Sequence, residues 1–307
     1  MKISGFSFVR NAIILDYPIV EAIKSALPIV DEFVIACGDS DDDTTELVRS
    51  IGDPKIKIIE TVWNPDDFVH GRSNAIQTNI ALDRCTGDWC FYLQADEVVH
   101  EKYLPVIVKA CEKYLDDKKV EGFLFNYKHF FGDYKHYQWT HHWYRREVRV
   151  VRNNIGVRSW QSAQGFRIDG RKLSVVHIPA EIFHYGWVRN PLKMRKKMIA
   201  LDTVHHGESE ALKRNAPEKI PFDYGIPDHL KIFLDSHPAV MSERIARKNW
   251  DWIPETPTRH RHDKLLVRLW SHIENDILKF RIGEYKNYVY LGYDHSLGQY
   301  IGQHLDS

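Results

Sequence analysis

A chain of 307 residues, 43% hydrophobic and 27% charged, has ample apolar surface for a core, which excludes a disordered protein. Lys plus Arg and Asp plus Glu number 42 each, which argues against a general nucleic-acid binder. No apolar run reaches the ~18–20 residues that cross a bilayer, and Cys37, Cys85, Cys90 and Cys111 form no CxxC pair. A disulfide scaffold and a zinc ribbon are therefore excluded, and a reducing cytoplasm is expected. The opening Met1–Phe6 reads straight into a strand and lacks the apolar stretch of a signal peptide.

Strand patterns at Ile3–Val9, Glu32–Ala36, Ile56–Glu60, Trp89–Leu93 and Gly122–Tyr127 alternate with helical patterns at Ile19–Leu27, Thr44–Ile51, Arg72–Asp83 and Tyr103–Leu115. In the last helix, Leu104, Ile107, Val108, Cys111 and Leu115 recur at three- and four-residue spacings and define one buried face. Such alternation predicts an α/β fold, a mainly parallel sheet flanked by helices, with ligands outside the carboxyl ends of the strands. From residue 129 the pattern changes. An aromatic- and histidine-rich stretch, His129–Trp143, precedes a β-like Glu147–Arg152 and a Gly- and Ser-containing Asn153–Gly165. Strands are expected near Leu173–His177 and Glu181–His184, then a basic helix from about Pro191. Helical patches at His229–Leu234, Met241–Trp250 and Lys264–Phe280 predict a mostly helical C-terminal extension.

The strand ends are polar. Arg10-Asn11 follows the first strand, Gly38-Asp39-Ser40-Asp41-Asp42-Asp43-Thr44 the second, and Gln94-Ala95-Asp96-Glu97 the fourth. Helix capping accounts for Asp43 or Thr44, but not for four acidic residues in five positions or for paired carboxylates after an apolar strand. Residues 1–100 carry 8 basic and 17 acidic side chains, and residues 140–200 carry 13 basic and 3 acidic. An acidic half suits a cation and a basic middle suits an anion such as a diphosphate, although two oppositely charged solvated faces have the same signature. Hard divalent cations take a few carboxylates and complete their shell with phosphate and water.

These three motifs, with Thr86-Gly87-Asp88-Trp89 leading into the fourth strand, resemble the family 2 glycosyltransferases of the GT-A fold over roughly residues 1–190. The resemblance implies a GT-A catalytic domain, 1–190, with a donor-binding half (1–128) and an acceptor-side half (129–190), followed by the extension 191–307. It implies that Asp96 binds a Mn²⁺ or Mg²⁺ ion chelated by the donor, and that Asp42 lies near base and ribose. Asp39 stands one place after the family's first acidic position, Arg72 matches a basic residue over the donor, and Gln94 replaces the first Asp of the metal motif. The implied donor-binding set is Arg10, Asp39, Asp42, Arg72 and Gln94.

His184, in Phe183-His184-Tyr185-Gly186, resembles an element that completes the metal or diphosphate site, and Lys193, Arg195, Lys196 and Lys197 follow on a basic helix. A neutral imidazole suits Mn²⁺ and cationic side chains suit a departing diphosphate. A core histidine and a solvated helix face are the plain alternatives. His177 is a weaker candidate ligand.

A general base must take the acceptor proton. Where many relatives carry an acid, Trp160–Gly165 offers only glutamines, leaving Glu97, Glu147, Asp169 and Glu181. Glu97, beside Asp96, is best placed, although a supporting or capping role stands beside that reading. The aromatics Tyr127, Phe130, Phe131, Tyr134, Tyr137, Trp139, Trp143 and Tyr144 suit either a sugar platform or core packing.

The expected activity is metal-assisted, inverting transfer from a nucleotide-diphosphate sugar, UDP-linked, to a glycan or lipid-linked acceptor. The expected location is the cytoplasm or the inner face of the membrane, with at most peripheral association. A nucleotidyltransferase and a non-catalytic nucleotide-sugar-binding module are the alternatives.

Overall fold

The structure is a computed structural model and describes residues 1–225, 230–252, 265–278, 283 and 287–305. The chain begins as the alternation requires: β1 (Ile3–Val9), α1 (Ile19–Ala26), β2 (Glu32–Gly38), α2 (Thr44–Arg49), β3 (Ile56–Thr61), α3 (Arg72–Leu82) and β4 (Trp89–Tyr92). A short β5 (Glu97–Val99), α4 (Leu104–Lys113) and β6 (Gly122–Phe131) follow. Next come β7 (His136–Gln138), β8 (Arg146–Arg152), β9 (Val157–Trp160), β10 (Gly165–Ile168) and β11 (Arg171–Trp187). The remainder holds α5 (Pro191–His206), α6 (Glu208–Arg214), β12 (Lys231–Ile232), α7 (Ser242–Ala246), α8 (Leu265–His272) and β13 (Tyr288–Tyr293).

One sheet runs in the order β3-β2-β1-β4-β8-β6-β11-β10-β9. Its first four strands are parallel, as are β6 and β11. β8 inserts antiparallel between β4 and β6, so it begins, rather than ends, at the edge where β1, β2 and β4 deliver their carboxyl ends. Ile19, Ile23, Leu104, Ile107 and Cys111 bury helices on one face of the sheet, and Ala81 and Leu82 of α3 pack on the other. The expected α4 face is buried at Leu104, Ile107 and Cys111; Val108 and Leu115 are only partly buried.

Two local expectations are corrected. The two strands expected at 173–177 and 181–184 are one strand, β11, whose register shifts between His177 and Glu181 around Pro179, which cannot donate to a ladder. The stretch Asn153–Gly165 contains β9 and leads into its hairpin partner β10. In the patch expected to be helical at 229–234, Lys231 and Ile232 form a strand against β7; His229 lies outside the described residues. The other two patches are helical over Ser242–Ala246 and Leu265–His272, with a π-helical turn Ile273–Leu278, and Lys264 and residues 279–280 lie outside the described residues. Beyond residue 190 the chain also returns to the sheet, because β13 pairs in parallel with β11. Among the described residues no helix is long and apolar enough to cross a membrane.

Candidate active site

At the carboxyl edge lies a cavity of about 480 Å³, walled by the ends of β1 and β4, the start of β8, the end of β11 and one face of α5. Asp96 occupies the turn joining β4 to β5. The antiparallel pairing of β5 with β11 sets Glu97 opposite His184, and Tyr185 donates its backbone N–H to the Asp96 carbonyl at 2.8 Å. Asp96 and His184 are thereby brought side by side, with Asp96 Oδ1 3.7 Å from His184 Nε2. Gly186 makes room for the pair: a Cβ there would lie 2.5 Å from His184 Nε2 and 2.9 Å from Asp96 Oδ2.

The other Asp96 oxygen accepts a hydrogen bond from Lys197 Nζ at 2.8 Å, and the same ammonium donates to the Gly186 carbonyl at 2.7 Å. Burial opposes ionisation of both groups. For Asp96 the Lys197 ammonium overcomes that penalty, with help from His184 and Arg189, and holds the carboxyl well below its usual range. Lys197 is pushed down to about 8 by burial and by Arg189, against the pull of Asp96, so the pair is ionic at neutral pH.

His184 has one defined tautomer. His129 Nε2 lies 2.7 Å from the Tyr144 carbonyl and must carry a proton to donate to it. Burial and the neighbouring His184 hold His129 neutral, far below its ordinary value, so its Nδ1 is bare and accepts from His184 Nδ1 at 3.0 Å. Burial pushes His184 down to about 4 despite Asp96, so it too is neutral and its Nε2 lone pair faces the carboxylate. Two lone-pair donors therefore face each other at 3.7 Å. That arrangement fits a divalent cation held by Asp96 Oδ1 and His184 Nε2. Among the described residues no group of three or more His, Cys, Asp or Glu that could hold a metal ion is found.

Glu97 does not reach the cavity. Its carboxylate is fully buried, bidentate to Arg149 Nε and Nη2 at 2.8 and 2.7 Å, and takes Tyr127 Oη at 2.8 Å and the Gln94 N–H at 3.1 Å. As a base it is closed, and its work is structural. The other members of the expected set separate into those on the cavity and those off it. Gln94 lines the cavity, its amide donating to the Ala163 carbonyl at 3.2 Å. Arg10 lines it too, with Nε donating to the Asp39 carbonyl at 3.1 Å. Asp39 turns back to accept the Trp63 N–H at 3.1 Å. Asp42 is engaged with backbone: Oδ2 accepts from Ile13 and Ile14 at 3.0 and 2.7 Å, and Oδ1 accepts from the Thr44 N–H and hydroxyl. Arg72 points outward, 3.5 Å from Asp67. None of Asp39, Asp42 and Arg72 lines the cavity.

The basic helix is sorted by its own period. Asn190 caps α5 by accepting the Leu192 N–H at 3.0 Å, and Pro191 occupies the first turn. Lys197, Ala200, Leu201 and Val204 then share the face turned to the cavity. Lys193 donates to the Ile13 carbonyl, Arg195 to that of Ile220, and Lys196 pairs with Glu218. Arg195 and Lys196 do not line the cavity. The last turn of α5 is pinned by the His70 and Gly71 N–H groups, which donate to the His205 and Val204 carbonyls.

Of the aromatic stretch, Trp143 and Tyr144 line the cavity, whereas Phe130 stacks on Tyr185 and Phe131 on Trp187 within the core. His177 is held by Asn126 at 3.1 Å, off the cavity. Sequence reading missed an aromatic slot beside Arg10: Trp63 lies 6.0 Å from Phe8 and 6.4 Å from Phe68, with its buried Nε1 unpartnered. The signal available was Trp63-Asn64-Pro65, an aromatic at the end of a strand pattern.

Among solved structures, the chain is similar to S. aureus TarS 1-349 at 13% identity and TM-score 0.35, covering 69% of this chain and 68% of that one. It is also similar to glucosyl-3-phosphoglycerate synthase from Mycobacterium tuberculosis, solved with Mn²⁺, UDP and phosphoglyceric acid, at 16% identity and TM-score 0.28. That match covers 41% of this chain and 42% of the synthase. No curated protein matches the sequence. The profile described as Glycosyl transferase family 2 matches residues 17–173, from before α1 into β11 and so across the donor edge of the α/β sheet. With half of its length matched in this way, the chain belongs to glycosyl transferase family 2.

Proposed function

We propose that this transferase moves a sugar from a nucleoside-diphosphate donor, UDP-linked, to a hydroxyl of a glycan or lipid-linked acceptor, with inversion and with Mn²⁺ or Mg²⁺. The observation that carries the reading is the convergence of Asp96 Oδ1, the bare His184 Nε2 and the buried Lys197 ammonium on one cavity wall. The family match supports the nucleotide-sugar donor. Asp96 and His184 would hold the cation, which when bound would supply positive charge to the leaving diphosphate.

The chain's own groups do the rest. Lys197 holds Asp96 ionised and in place, and it adds a second positive charge where negative charge grows as the diphosphate departs. The His129–His184 hydrogen bond fixes the tautomer that leaves Nε2 free to bind. Trp63, Phe8 and Arg10 offer ring and cation faces for the base, and Trp143 and Tyr144 offer apolar faces to the sugar. One face of α5, with Lys197, Ala200, Leu201 and Val204, forms part of the cavity wall.

The test is a melting and turnover screen. UDP with Mn²⁺ should raise the melting temperature more than UDP with EDTA, because a ligand that binds only the native state stabilises it. Nucleotide sugars should be hydrolysed slowly with release of the nucleoside diphosphate. Release of pyrophosphate would instead identify a nucleotidyltransferase, and the absence of any shift with any nucleoside diphosphate would sink the donor site.

A further inference from the structure

Inversion by direct displacement needs a group that removes the acceptor's proton, and this inference rests on the transferase reading above. Among the described residues, Asp96 and Glu147 are the only acidic residues that line the cavity. Asp96 is held by Lys197, and Glu97 is sealed by Arg149. Glu147 is different. It lies at the start of β8, opposite Phe125 of β6, because that antiparallel strand begins at the ligand edge. The residue is 5% exposed, yet its buried Oε2 has no hydrogen-bond partner, and Oε1 has only a 3.4 Å contact from Asn287 Nδ2. A buried acceptor without a donor is costly unless a ligand supplies one. Trp143 and Tyr144 line the same cavity as Glu147.

We propose that Glu147 is the catalytic base. Its Oε2 takes the proton of the acceptor hydroxyl as that oxygen bonds to the anomeric carbon. The bond from this carbon to the diphosphate oxygen breaks, the electron pair leaves with the diphosphate, and Glu147 afterwards returns its proton to water. This assignment also answers the glutamines of Trp160–Gly165, since the carboxylate absent from that loop is provided by the neighbouring strand.

The electrostatics agree. Burial raises the Glu147 carboxyl to about 8; Arg149 on its own strand, Asn287 and Arg167 of β10 oppose this, while Glu97 of β5 adds to it. A carboxyl raised in this way is a stronger base than an ordinary glutamate, and the ionised fraction that can take the proton grows as pH rises.

The probes are UDP-glucose, UDP-galactose and UDP-N-acetylglucosamine with water as acceptor, and azide as a nucleophile that has no proton to remove. In Glu147→Gln, hydrolysis should fall ~10²–10⁴-fold, UDP binding and melting should be unchanged, and azide should restore turnover as glycosyl azide. The wild-type rate should rise with pH towards about 8, and the variant's should be flat. Glu147→Asp, which keeps a carboxylate, should retain part of the rate and serves if the Gln variant folds poorly. Hydrolysis by Glu147→Gln at the wild-type rate overturns the assignment, as does a variant that binds UDP but is not restored by azide. Loss of UDP binding by the wild-type protein would instead overturn the transferase reading.

Discussion

Two strand ends of this protein carry paired or clustered carboxylates, and they use them in opposite ways. In the loop after β2, Asp39, Asp41 and Asp42 accept hydrogen bonds from backbone and from Asn11. They stitch the β1 and β2 ends together, and water screens what charge remains. After β4, Asp96 and Glu97 are buried, and each faces a cation, Lys197 and Arg149, brought from an element distant in sequence. A carboxylate near N–H groups shapes a loop. A buried carboxylate held ionised by an opposite charge becomes a fixed field, which is what a departing diphosphate responds to.

The widest separation between the two regions is expected at Arg149. Arg149→Met leaves the Glu97 carboxylate buried without its partner, and breaking such a pair costs about 3–5 kcal/mol. Urea unfolding should show the loss; a variant as stable as the wild type would mean that Glu97 is not a structural anchor. Asp96→Asn comes next. It keeps an acceptor for Lys197 but removes the charge, so donor hydrolysis should drop ~10²–10³-fold, and a Mn²⁺ titration should not restore it. An Asn variant that turns over at the wild-type rate would break the assignment of Asp96.

In the β2 loop the effects should be smaller and of another kind. Asp42→Ala removes acceptors for three backbone N–H groups and should cost about 1–2 kcal/mol of stability. UDP affinity should change little, and a large loss of it would show that Asp42 meets the donor directly. Smallest of all is the double change Arg195→Ala with Lys196→Ala. Exposed pairs contribute about 0–1 kcal/mol, so stability should barely move and donor kinetics should match the wild type. A kinetic defect there would show that the outer face of α5 does approach the diphosphate.

The alternation of strands and helices through β6 was legible in the sequence because burial imposes a period on the residues themselves. So was the cleft, since ligands collect where parallel strands end, and Asp96 and His184 do stand on it. The direction of β8 was not legible. A run such as Arg146–Arg152 has the same pattern whichever way it enters a sheet, and only pairing with β4 and β6 placed Glu147 at the ligand edge. The four cations in the first half of α5, Lys193, Arg195, Lys196 and Lys197, looked alike for the same reason. The 3.6-residue period of α5, docked as it is, turns Lys197 inward and leaves Arg195 and Lys196 outside. Glu97 beside Asp96 likewise looked available until Arg149 closed on it.

What the sequence by itself determined is therefore the class of fold, the edge where the cavity lies and the residue types gathered there, because hydrophobic period and motif order are local properties of the chain. Which carboxylate is ionised and held, which is sealed, and which keeps a free oxygen was decided only in the tertiary structure. Those states depend on the distance to an opposite charge and on the exclusion of water, and both are set by strands and helices that lie 50 to 100 residues apart.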